Sequence, residues 1–307
     1  MNEKPKRGQT LDQNSSTIAI ILIAVGVIFL LGNIGLFAGI GRLWPLIPVG
    51  IGIWMLYGKN APSVTVKHEQ FTVPLDEATS AEVKLHFPVG ETTVQSATDP
   101  ARLLDADLTY VGDIHFVNDG TTQKYVSLSQ SGGSVVQWLN PANWFHSDKL
   151  EWKLRLSPEI PLALEIHGGV GESRLDLSHL NLTALSVNGG VGEMNITLPA
   201  QGNYETHLQI GVGELNITVP PGAAVQAAIK GGVGECNLRL PADAAVRLRA
   251  RTGIGDINLP KHFQRLSNSD DSLGISKSGI WETSNFGSAA NPIIIDYEGG
   301  VGELNVR

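Results

Sequence analysis

Apolar and polar residues alternate in short runs through the C-terminal half of the chain. From Val191 to Pro199, three apolar residues (Met194, Ile196 and Leu198) alternate with polar ones. A period of two is typical of a β-strand with one buried face. The apolar members of the next two runs are Leu215, Ile217 and Val219, and then Cys236, Leu238 and Leu240. The pattern therefore predicts a series of equivalent strands.

A five-residue phrase, Gly-Gly-Val-Gly-Glu, recurs along with these runs. Its copies and variants are Gly168–Glu172, Gly189–Glu193, Ile210–Glu214, Gly231–Glu235, Thr252–Asp256 and Gly299–Glu303. The acidic residues of the first five copies are each 21 positions apart. Self-similarity at a fixed period predicts a repeat architecture, in which each unit buries its apolar face against the next.

Corners are predicted at both ends of each strand. The prolines that follow the strands are Pro199, Pro220, Pro241 and Pro260. Proline cannot donate to a sheet, so it is expected at a strand end. A second alternating run, such as Val225, Ala227 and Ile229 or Val246, Leu248 and Ala250, leads to the next phrase. Its glycines permit a tight turn and a close backbone approach. The sequence thus predicts a mostly β, single-domain β-solenoid, similar to a right-handed β-helix, with repeats of about 21 residues.

The repeat domain is predicted to cover residues 64–307. Val89–Glu91 and Val111–Asp113 resemble degenerate copies of the glycine phrase. Downstream, residues 262–292 interrupt the period, because 47 positions separate Asp256 from Glu303.

We interpret this interruption as a polar insertion followed by a cap. The segment Ser267–Ser272 is polar and is predicted to be a loop. The apolar residues after it, Trp281, Phe286 and the run Ile293–Ile295, are predicted to cover the open end of the solenoid.

The N-terminal region is predicted to enter a membrane. Residues 17–57 are almost wholly apolar, and Arg42 is their only charged residue. One helix of this length would be about twice the ~30 Å thickness of the hydrocarbon core. We therefore predict a two-helix transmembrane hairpin after a polar basic tail (1–16) and before a linker (58–63). A cleaved signal peptide is the alternative, which the length of the apolar stretch disfavours.

The distribution of positive charge predicts the orientation. Lys4, Lys6 and Arg7 precede the hairpin, and Lys59 and Lys67 follow it. The positive-inside rule then places both flanks, and with them the β domain, in the cytoplasm. The prediction is a multi-pass membrane protein.

Composition excludes some classes of partner. The net charge of −8 and the pI of about 5.5 argue against nucleic acid, which binds basic surfaces. A single cysteine excludes a framework of intrachain disulfides. Cys236 falls on the apolar side of its strand, so it is predicted to be a small core residue.

Two polar rows are predicted on the outside of the solenoid. One row contains Glu193, Glu214, Glu235 and Asp256, and the other contains Asn195, Asn216, Asn237 and Asn258. Stacked amides form hydrogen-bonded ladders. Stacked carboxylates repel unless N–H groups, water or a cation compensate. Solvated or corner-capping carboxylates are the favoured interpretation. The alternative is calcium, although the period of 21 and Met194 or Cys236 at the aspartate position of calcium repeats disfavour it.

The sequence predicts no catalytic, cofactor-binding or metal site. Its eight histidines are scattered, without a pair at metal-ligand spacing. It contains no nucleophile elbow, phosphate loop or dinucleotide fingerprint. The carboxylate row Glu193–Asp256 is the one candidate for a polysaccharide-cleaving enzyme, but it follows from the repeat. Glycosylation sequons begin at Asn181, Asn195 and Asn216, and the last two lie inside predicted strands, so they are interpreted as a coincidence with the asparagine row.

An aromatic cluster lies within an irregular stretch of the chain. Trp138 and Trp152 flank the segment Leu139–Asp148, and Trp144 and Phe145 lie within it. A loop folded over the core is the favoured interpretation. The alternative is an aromatic patch for a partner or the membrane interface.

Several of these segments resemble a known bacterial family. Leu30–Leu36, Leu43–Pro48 and Gly50–Ile53 resemble the two-helix LiaI–LiaF-like membrane module. Leu156–Pro158, Leu175–Leu180 and Gly189–Glu193 resemble the toastrack domain at the C-terminus of LiaF-type proteins. The resemblance implies a membrane-anchored, solenoid-like β domain linked to cell-envelope stress signalling and the response to wall-active antibiotics. LiaF-type members are negative regulators of a sensor kinase.

Together, the pattern and the resemblance predict a non-enzymatic, membrane-anchored interaction or regulatory protein without cofactors. Its expected partners are the lipid bilayer and a protein, which is a sensor kinase, another membrane protein or a second copy. The alternative is a structural scaffold that stacks its solenoids end to end beneath the membrane.

Overall fold

The computed structural model describes residues 65–131, 149–268 and 276–307, together with Gly50. The chain divides into two compact units, one of Met1–Thr65 and Gly133–Ser147, the other of Val66–Gly132 and Asp148–Arg307. The second, here called the β unit, is described below. Apart from Gly50, the predicted tail, hairpin and linker lie outside the described residues. Within the described ranges, no helix has the length and hydropathy of a membrane span.

The β unit is built from sixteen strands in the described part of the chain. They are β1 (Val66–Pro74), β2 (Ser80–Val89), β3 (Glu91–Ser96), β4 (Arg102–Val111), β5 (Asp113–Asp119), β6 (Gln123–Ser131), β7 (Glu151–Leu156), β8 (Leu162–Asp176), β9 (Leu182–Thr197), β10 (Asn203–Thr218), β11 (Ala224–Arg239), β12 (Val246–Ile254), β13 (Ile257–Asn258), β14 (Phe263–Asn268), β15 (Lys277–Thr283) and β16 (Ile293–Val306). A short 3-10 helix, Phe286–Ser288, lies between β15 and β16.

Strands β8 to β11 form the regular centre of the unit. Each pairs in parallel with the next, and β10 and β11 pair residue i with residue i+21, as in Glu214 with Glu235. Neighbouring strands lie about 4.8 Å apart, so the chain returns almost to its starting point after each repeat. Each repeat is therefore a coil with two arms, a first arm before the glycine phrase and a second arm after it.

Both arms of each coil contribute to a single apolar core. In the coil of β10, Leu208 of the first arm and Leu215 and Ile217 of the second are each at most 2 % exposed. All three belong to the same buried cluster. The predicted alternation and the mostly β, repeat character are confirmed. The handedness of the coil stays a prediction.

The C-terminal strand occupies an unexpected position. β16 pairs in parallel with β11 on one side and with β12 and β13 on the other. The neighbour of Glu235 is therefore Glu303, and the predicted stacking of Asp256 on Glu235 is wrong. The prediction that Ile293–Ile295 caps the end is also wrong, because this run begins an internal strand in which Ile293 and Ile295 are 2 % exposed.

The other segment predicted as a cap does lie at the end of a sheet. β15 pairs antiparallel with β12, and β14 pairs antiparallel with β15. Trp281 of β15 packs half-buried against the core, with the Arg265 guanidinium 5.1 Å from its ring centroid. The predicted loop Ser267–Ser272 is corrected at its start, because β14 extends through Asn268. Residues 269–272 lie outside the described ranges.

The N-terminal strands continue the stack of parallel coils, which then ends in antiparallel strand pairs. β2 and β3 flank Gly90 and pair in parallel with the two arms of β8, which confirms Val89–Glu91 as a copy of the phrase. β6 and β7 add the next pair of arms. Val111–Asp113 is not a solenoid copy, because the strands around Gly112 pair antiparallel with their neighbours. Strand β1 then pairs antiparallel with β4.

Candidate interaction site at the glycine corner

The glycine phrase forms a corner at which neighbouring backbones nearly touch. Gly213 has a φ of +135°, a conformation that other residues rarely adopt. A Cβ atom at this position would lie 1.9 Å from the carbonyl oxygen of Gly192 in the preceding coil. No side chain fits into that space. The stacking of corner on corner therefore requires glycine.

The residue between the glycines points outward and forms an aliphatic row. The members of this valine ridge are Val170, Val191, Val212, Val233, Val301 and Ile254, which are 46–56 % exposed. They follow one another in register across β8, β9, β10, β11, β16 and β12. An apolar row at the strand spacing of about 4.8 Å is a continuous stripe rather than a scatter of single residues.

A row of carboxylates runs along the second-arm side of the ridge, here called the acidic flank. Its members are Glu91, Glu172, Glu193, Glu214, Glu235, Glu303 and Asp256. Cations compensate the two ends of this row, because Arg174 contacts both Glu91 and Glu172, and Lys277 contacts Asp256. The neighbouring carboxylates raise the pKa of Arg174, and the hydrogen bond to Glu91 is the largest cause. Glu235, in the middle of the row, has no ion-pair partner among the described residues.

Next to the acidic flank lies a ladder of five asparagines. The Nδ2 atom of Asn216 donates to Oδ1 of Asn195 at 3.0 Å, and Asn237 donates to Asn216 at 3.0 Å. The ladder continues through Asn305, which donates to Asn237 at 3.2 Å and accepts from Asn258 at 2.8 Å. The predicted ladder is confirmed, with the correction that Asn305 stands between Asn237 and Asn258.

The asparagine ladder also holds part of the acidic flank. Asn195 donates to Oε1 of Glu193 at 2.8 Å, and Asn237 donates to Oε1 of Glu214 at 3.1 Å. A shallow polar groove of about 460 Å³ crosses these second arms. Its lining includes Thr197 and Arg239. Across residues 65–131, 149–268 and 276–307, no group of three His, Cys, Asp or Glu side chains has the arrangement of a metal site.

The first-arm side of the ridge carries donors and cations instead, and is here called the donor flank. In strand order its members are His86, His167, Asn188, Gln209, Lys230, Glu298 and Arg251. Six of the seven can donate a hydrogen bond or carry a positive charge. Glu298 is the exception. The two sides of the valine ridge thus differ in chemistry along almost its whole length.

Two histidines that are far apart in the sequence meet on the donor flank. The ring centroids of His86 and His167 are 5.9 Å apart, and Nε2 of His167 lies 2.7 Å from Oε1 of Glu165. Lys84 lies 3.2 Å from the same carboxylate. The hydrogen bond from His167, followed by that from Lys84, lowers the pKa of Glu165. Sequence spacing gave no sign of this pair, because parallel pairing joins strands β2 and β8.

Other residues noted in the sequence belong to the core or lie outside the described ranges. Cys236 is 3 % exposed, and burial raises the pKa of its thiol to about 12. Trp152 is 1 % exposed and packs on Phe87 with 5.7 Å between ring centroids. Its indole therefore belongs to the core. Trp138, Trp144 and Phe145 are outside the described residues.

Sequence reasoning missed the valine ridge and the donor flank. The signal for the ridge was present, because Val or Ile fills the central position of all six phrases. The glycines of the phrase predict a corner, but they do not indicate that the residue between them points outward. The donor flank has no fixed residue type, so its common property is visible only after the register is known.

Comparison with known proteins places the chain in a family. The sequence model of the N-terminal domain of toast_rack, DUF2154, matches residues 62–218. The model of the LiaI-LiaF-like transmembrane region matches residues 16–56. No curated protein matches significantly.

A solved structure supports the fold. A protein from Clostridium sporogenes ATCC 15579, provisionally described as a cell adhesion protein, is 23 % identical with a TM-score of 0.53. The alignment covers 79 % of this chain and 99 % of the clostridial one. At this identity the likeness concerns the fold alone. Since the first family model matches just over half of the sequence, the chain belongs to the toastrack family and carries a LiaI–LiaF-like transmembrane region, which makes it a membrane-associated protein.

Proposed function

We propose that this chain is a non-enzymatic, membrane-anchored regulatory protein of bacterial cell-envelope stress signalling. The observation that carries the proposal is the continuity of two matched regions. The LiaI–LiaF-like transmembrane region ends at residue 56, and the toastrack match begins at residue 62. Only a few residues separate a membrane anchor from a repeat domain, so a disturbance of the anchor reaches the domain directly.

In this proposal, residues 17–57 form a two-helix hairpin in the inner membrane and the β unit faces the cytoplasm. The β unit acts by holding a protein partner on one of its regular surfaces. The valine ridge supports this, since an exposed apolar stripe between two polar rows has the arrangement of an interaction surface. Protein partners of the envelope-stress class include sensor kinases, other membrane proteins and a second copy of the chain.

The first experiment is deletion of residues 17–57, with an envelope-stress reporter measured before and after a wall-active antibiotic. The proposal expects the reporter response to change, because the β unit is no longer held at the membrane. A matched control replaces residues 17–57 with an unrelated two-helix hairpin, which keeps the anchoring but not the sensing. An unchanged response in the deletion strain would contradict the regulatory role.

The orientation is tested separately. Leu266 is 59 % exposed on β14, so we place a single cysteine there in a Cys236→Ala background. Intact cells are treated with a membrane-impermeant maleimide. The cytoplasmic proposal expects labelling only after lysis. Labelling of intact cells would place the β unit outside the membrane and make an envelope-facing binding role the better explanation.

A further inference from the structure

We propose that the valine ridge is a dimer seam, at which two copies of this chain pack side by side and parallel. The ridge is apolar, half-exposed and continuous over six coils, from Val170 to Ile254. Each aliphatic residue lies between two glycines, so no adjacent side chain in the same coil covers it. A matching ridge is therefore a suitable surface to cover it.

Charge complementarity identifies the second copy as the occupant. A two-fold axis parallel to the ridge places the acidic flank of one copy beside the donor flank of the other, coil by coil. The facing pairs are Glu91 with His86, Glu172 with His167, Glu193 with Asn188, Glu214 with Gln209, Glu235 with Lys230, Glu303 with Glu298 and Asp256 with Arg251. Six of these seven pairs join a carboxylate to a hydrogen-bond donor or a cation.

The pair formed by Glu235 and Lys230 gives the strongest support for the facing arrangement. Neither residue has an ion-pair partner elsewhere in the described part of the chain. They lie on opposite sides of Val233 in the same coil. In the parallel seam, each Glu235 meets Lys230 of the second copy, so one contact forms twice.

The antiparallel arrangement is disfavoured by the same rows. A two-fold axis perpendicular to the ridge would bring acidic flank against acidic flank, with like charges facing along the seam. The charge argument does not depend on the proposed anchoring, whereas the tethering of the two copies in one membrane rests on it.

The seam is small, so the membrane must contribute to its stability. The six coils of the ridge and the Glu91 coil beside them, at about 4.8 Å each, give a seam roughly 30 Å long. A single row of side chains of this length buries an area in the range of weak or transient interfaces. Tethering both copies in one membrane raises their effective concentration and compensates for a weak interface. The dimer is therefore expected in membranes and is expected to dissociate in dilute detergent.

The test uses cysteine cross-linking of the full chain in native membranes. Val170→Cys, Val212→Cys and Ile254→Cys are made singly in the Cys236→Ala background and oxidised with copper phenanthroline. A parallel seam brings equal positions together, so each variant should form a covalent homodimer at least tenfold more than Gln201→Cys. Gln201 is exposed and lies in the turn between β9 and β10, at the opposite edge of the coil.

Each other outcome overturns the proposal. Cross-linking no greater than that of Gln201→Cys would exclude the ridge. Cross-linking of Val212→Cys without that of Val170→Cys and Ile254→Cys would show an antiparallel seam, because only positions near its two-fold axis would meet their own copies. An adduct of another mass would identify a different protein on the ridge. A carbonate wash of the same membranes reports anchoring independently, because an unanchored chain would leave the pellet.

Charge variants test the flanks while leaving the ridge intact. Lys230→Glu in the Val212→Cys chain should reduce the homodimer roughly fivefold, since two attractive contacts become repulsive. The double variant Lys230→Glu with Glu235→Lys should restore it, which a merely misfolded protein would not do. Glu298→Lys removes the one repulsive pair and should increase the dimer. Unchanged yields in all three variants would contradict the facing arrangement.

Discussion

The central coils and the C-terminal coils of the β unit have the same geometry but different routes through the sequence. β8 to β11 lie side by side in the order of the sequence, whereas β16, which follows β12 to β15 in the sequence, lies between β11 and β12. The corner is nevertheless the same. Gly234 meets Gly213 of the preceding coil, and Gly302 meets Gly234, with Cβ-to-oxygen distances of 1.8 and 1.7 Å.

This difference shows that the glycine phrase determines how coils stack but not which coils are neighbours. Any two phrases can pair in register, because each offers the same corner, the same outward aliphatic residue and the same inward alternation. The order in which the coils stack is therefore determined by parts of the chain outside the phrase. Here the antiparallel pair β14 and β15 occupies the far side of β12, which leaves the side facing β11 for β16.

The most damaging change should be removal of β16. Deleting residues 293–307 exposes the facing edges of β11 and β12 and removes five buried side chains: Ile293, Ile295, Tyr297, Leu304 and Val306. At about 1.5–3 kcal/mol each, the loss is on the order of 10 kcal/mol, similar to the whole stability of a domain. We expect the C-terminal coils of the deletion variant to show no cooperative thermal unfolding. The measurement is circular dichroism of the variant in detergent, compared with the full chain.

A matched control keeps the strand and changes only its outward face. Asp296→Asn with Glu298→Gln alters two exposed residues of β16 and should change the free energy of unfolding by no more than about 0.5 kcal/mol. If the deletion were as mild as this control, β12 would be able to replace β16 beside β11. The inserted position of β16 would then be unnecessary for the fold.

Most features of a single coil could be predicted from the sequence, but the order in which the coils stack could not. Alternation predicted the buried faces of residues such as Met194 and Leu238, and the spacing predicted that asparagines would stack. The phrases Thr252–Asp256 and Gly299–Glu303 are equally good neighbours for Gly231–Glu235, however, and the constant period favoured the nearer one. A local pattern cannot distinguish two partners that offer the same surface.

The valine ridge and the donor flank were missed for a related reason. Alternation identifies which side of a strand is buried, but it does not apply across a corner, where the chain changes direction. Val212 looks like a strand residue in the sequence, yet it is 46 % exposed. The residue that follows it, Gly213, has a positive φ, which only the folded backbone shows.

The next largest effect should come from a methyl group at the corner, in either set of coils. Gly213→Ala and Gly302→Ala each place a Cβ within 2 Å of a carbonyl oxygen in the neighbouring coil. We expect each to lower the free energy of unfolding by more than about 3 kcal/mol, since backbone rather than a flexible side chain must move. The thermal unfolding midpoint of the full chain measures both.

Gly222→Ala is the matched control for these corner variants. Gly222 also has a positive φ, +84°, but a Cβ there meets no atom within 4 Å. Its cost is limited to the conformational penalty of about 1 kcal/mol. A tolerated Gly302→Ala beside a damaging Gly213→Ala would mean that β16 packs more loosely than the central coils.

A smaller, kinetic effect concerns Cys236, which lies between β10 and β16. Its pKa of about 12 leaves the folded protein almost without thiolate at pH 8, so a disulfide reagent should react only through opening of the strand. Met194→Cys in a Cys236→Ala background probes the equivalent position of a central coil. Equal labelling rates would show that β16 is held as firmly as its neighbours.

The same thiol makes stability depend on alkaline pH. Burial raises its pKa in the folded state, so its contribution is fully present below the pKa of the unfolded thiol and is lost as the pH rises from about 9 towards 12. Tyr110 and Tyr297, whose pKa values burial raises to about 12, act in the same direction. Cys236→Ala should therefore lose less stability between pH 8 and 10 than the parent chain, as measured by thermal unfolding at each pH.

The smallest effect should separate the interior of the asparagine ladder from its end. Asn237 donates to Asn216 and Glu214 and accepts from Asn305, whereas Asn258 has one ladder contact, to Asn305. Removing Asn237 takes a hydrogen-bond partner from three residues, so Asn237→Ala should cost about 1–2 kcal/mol and Asn258→Ala about 0.5 kcal/mol. The thermal midpoints of the two variants give the comparison. Equal costs would mean that the ladder does not extend through β16, because Asn237 would then be an end as well.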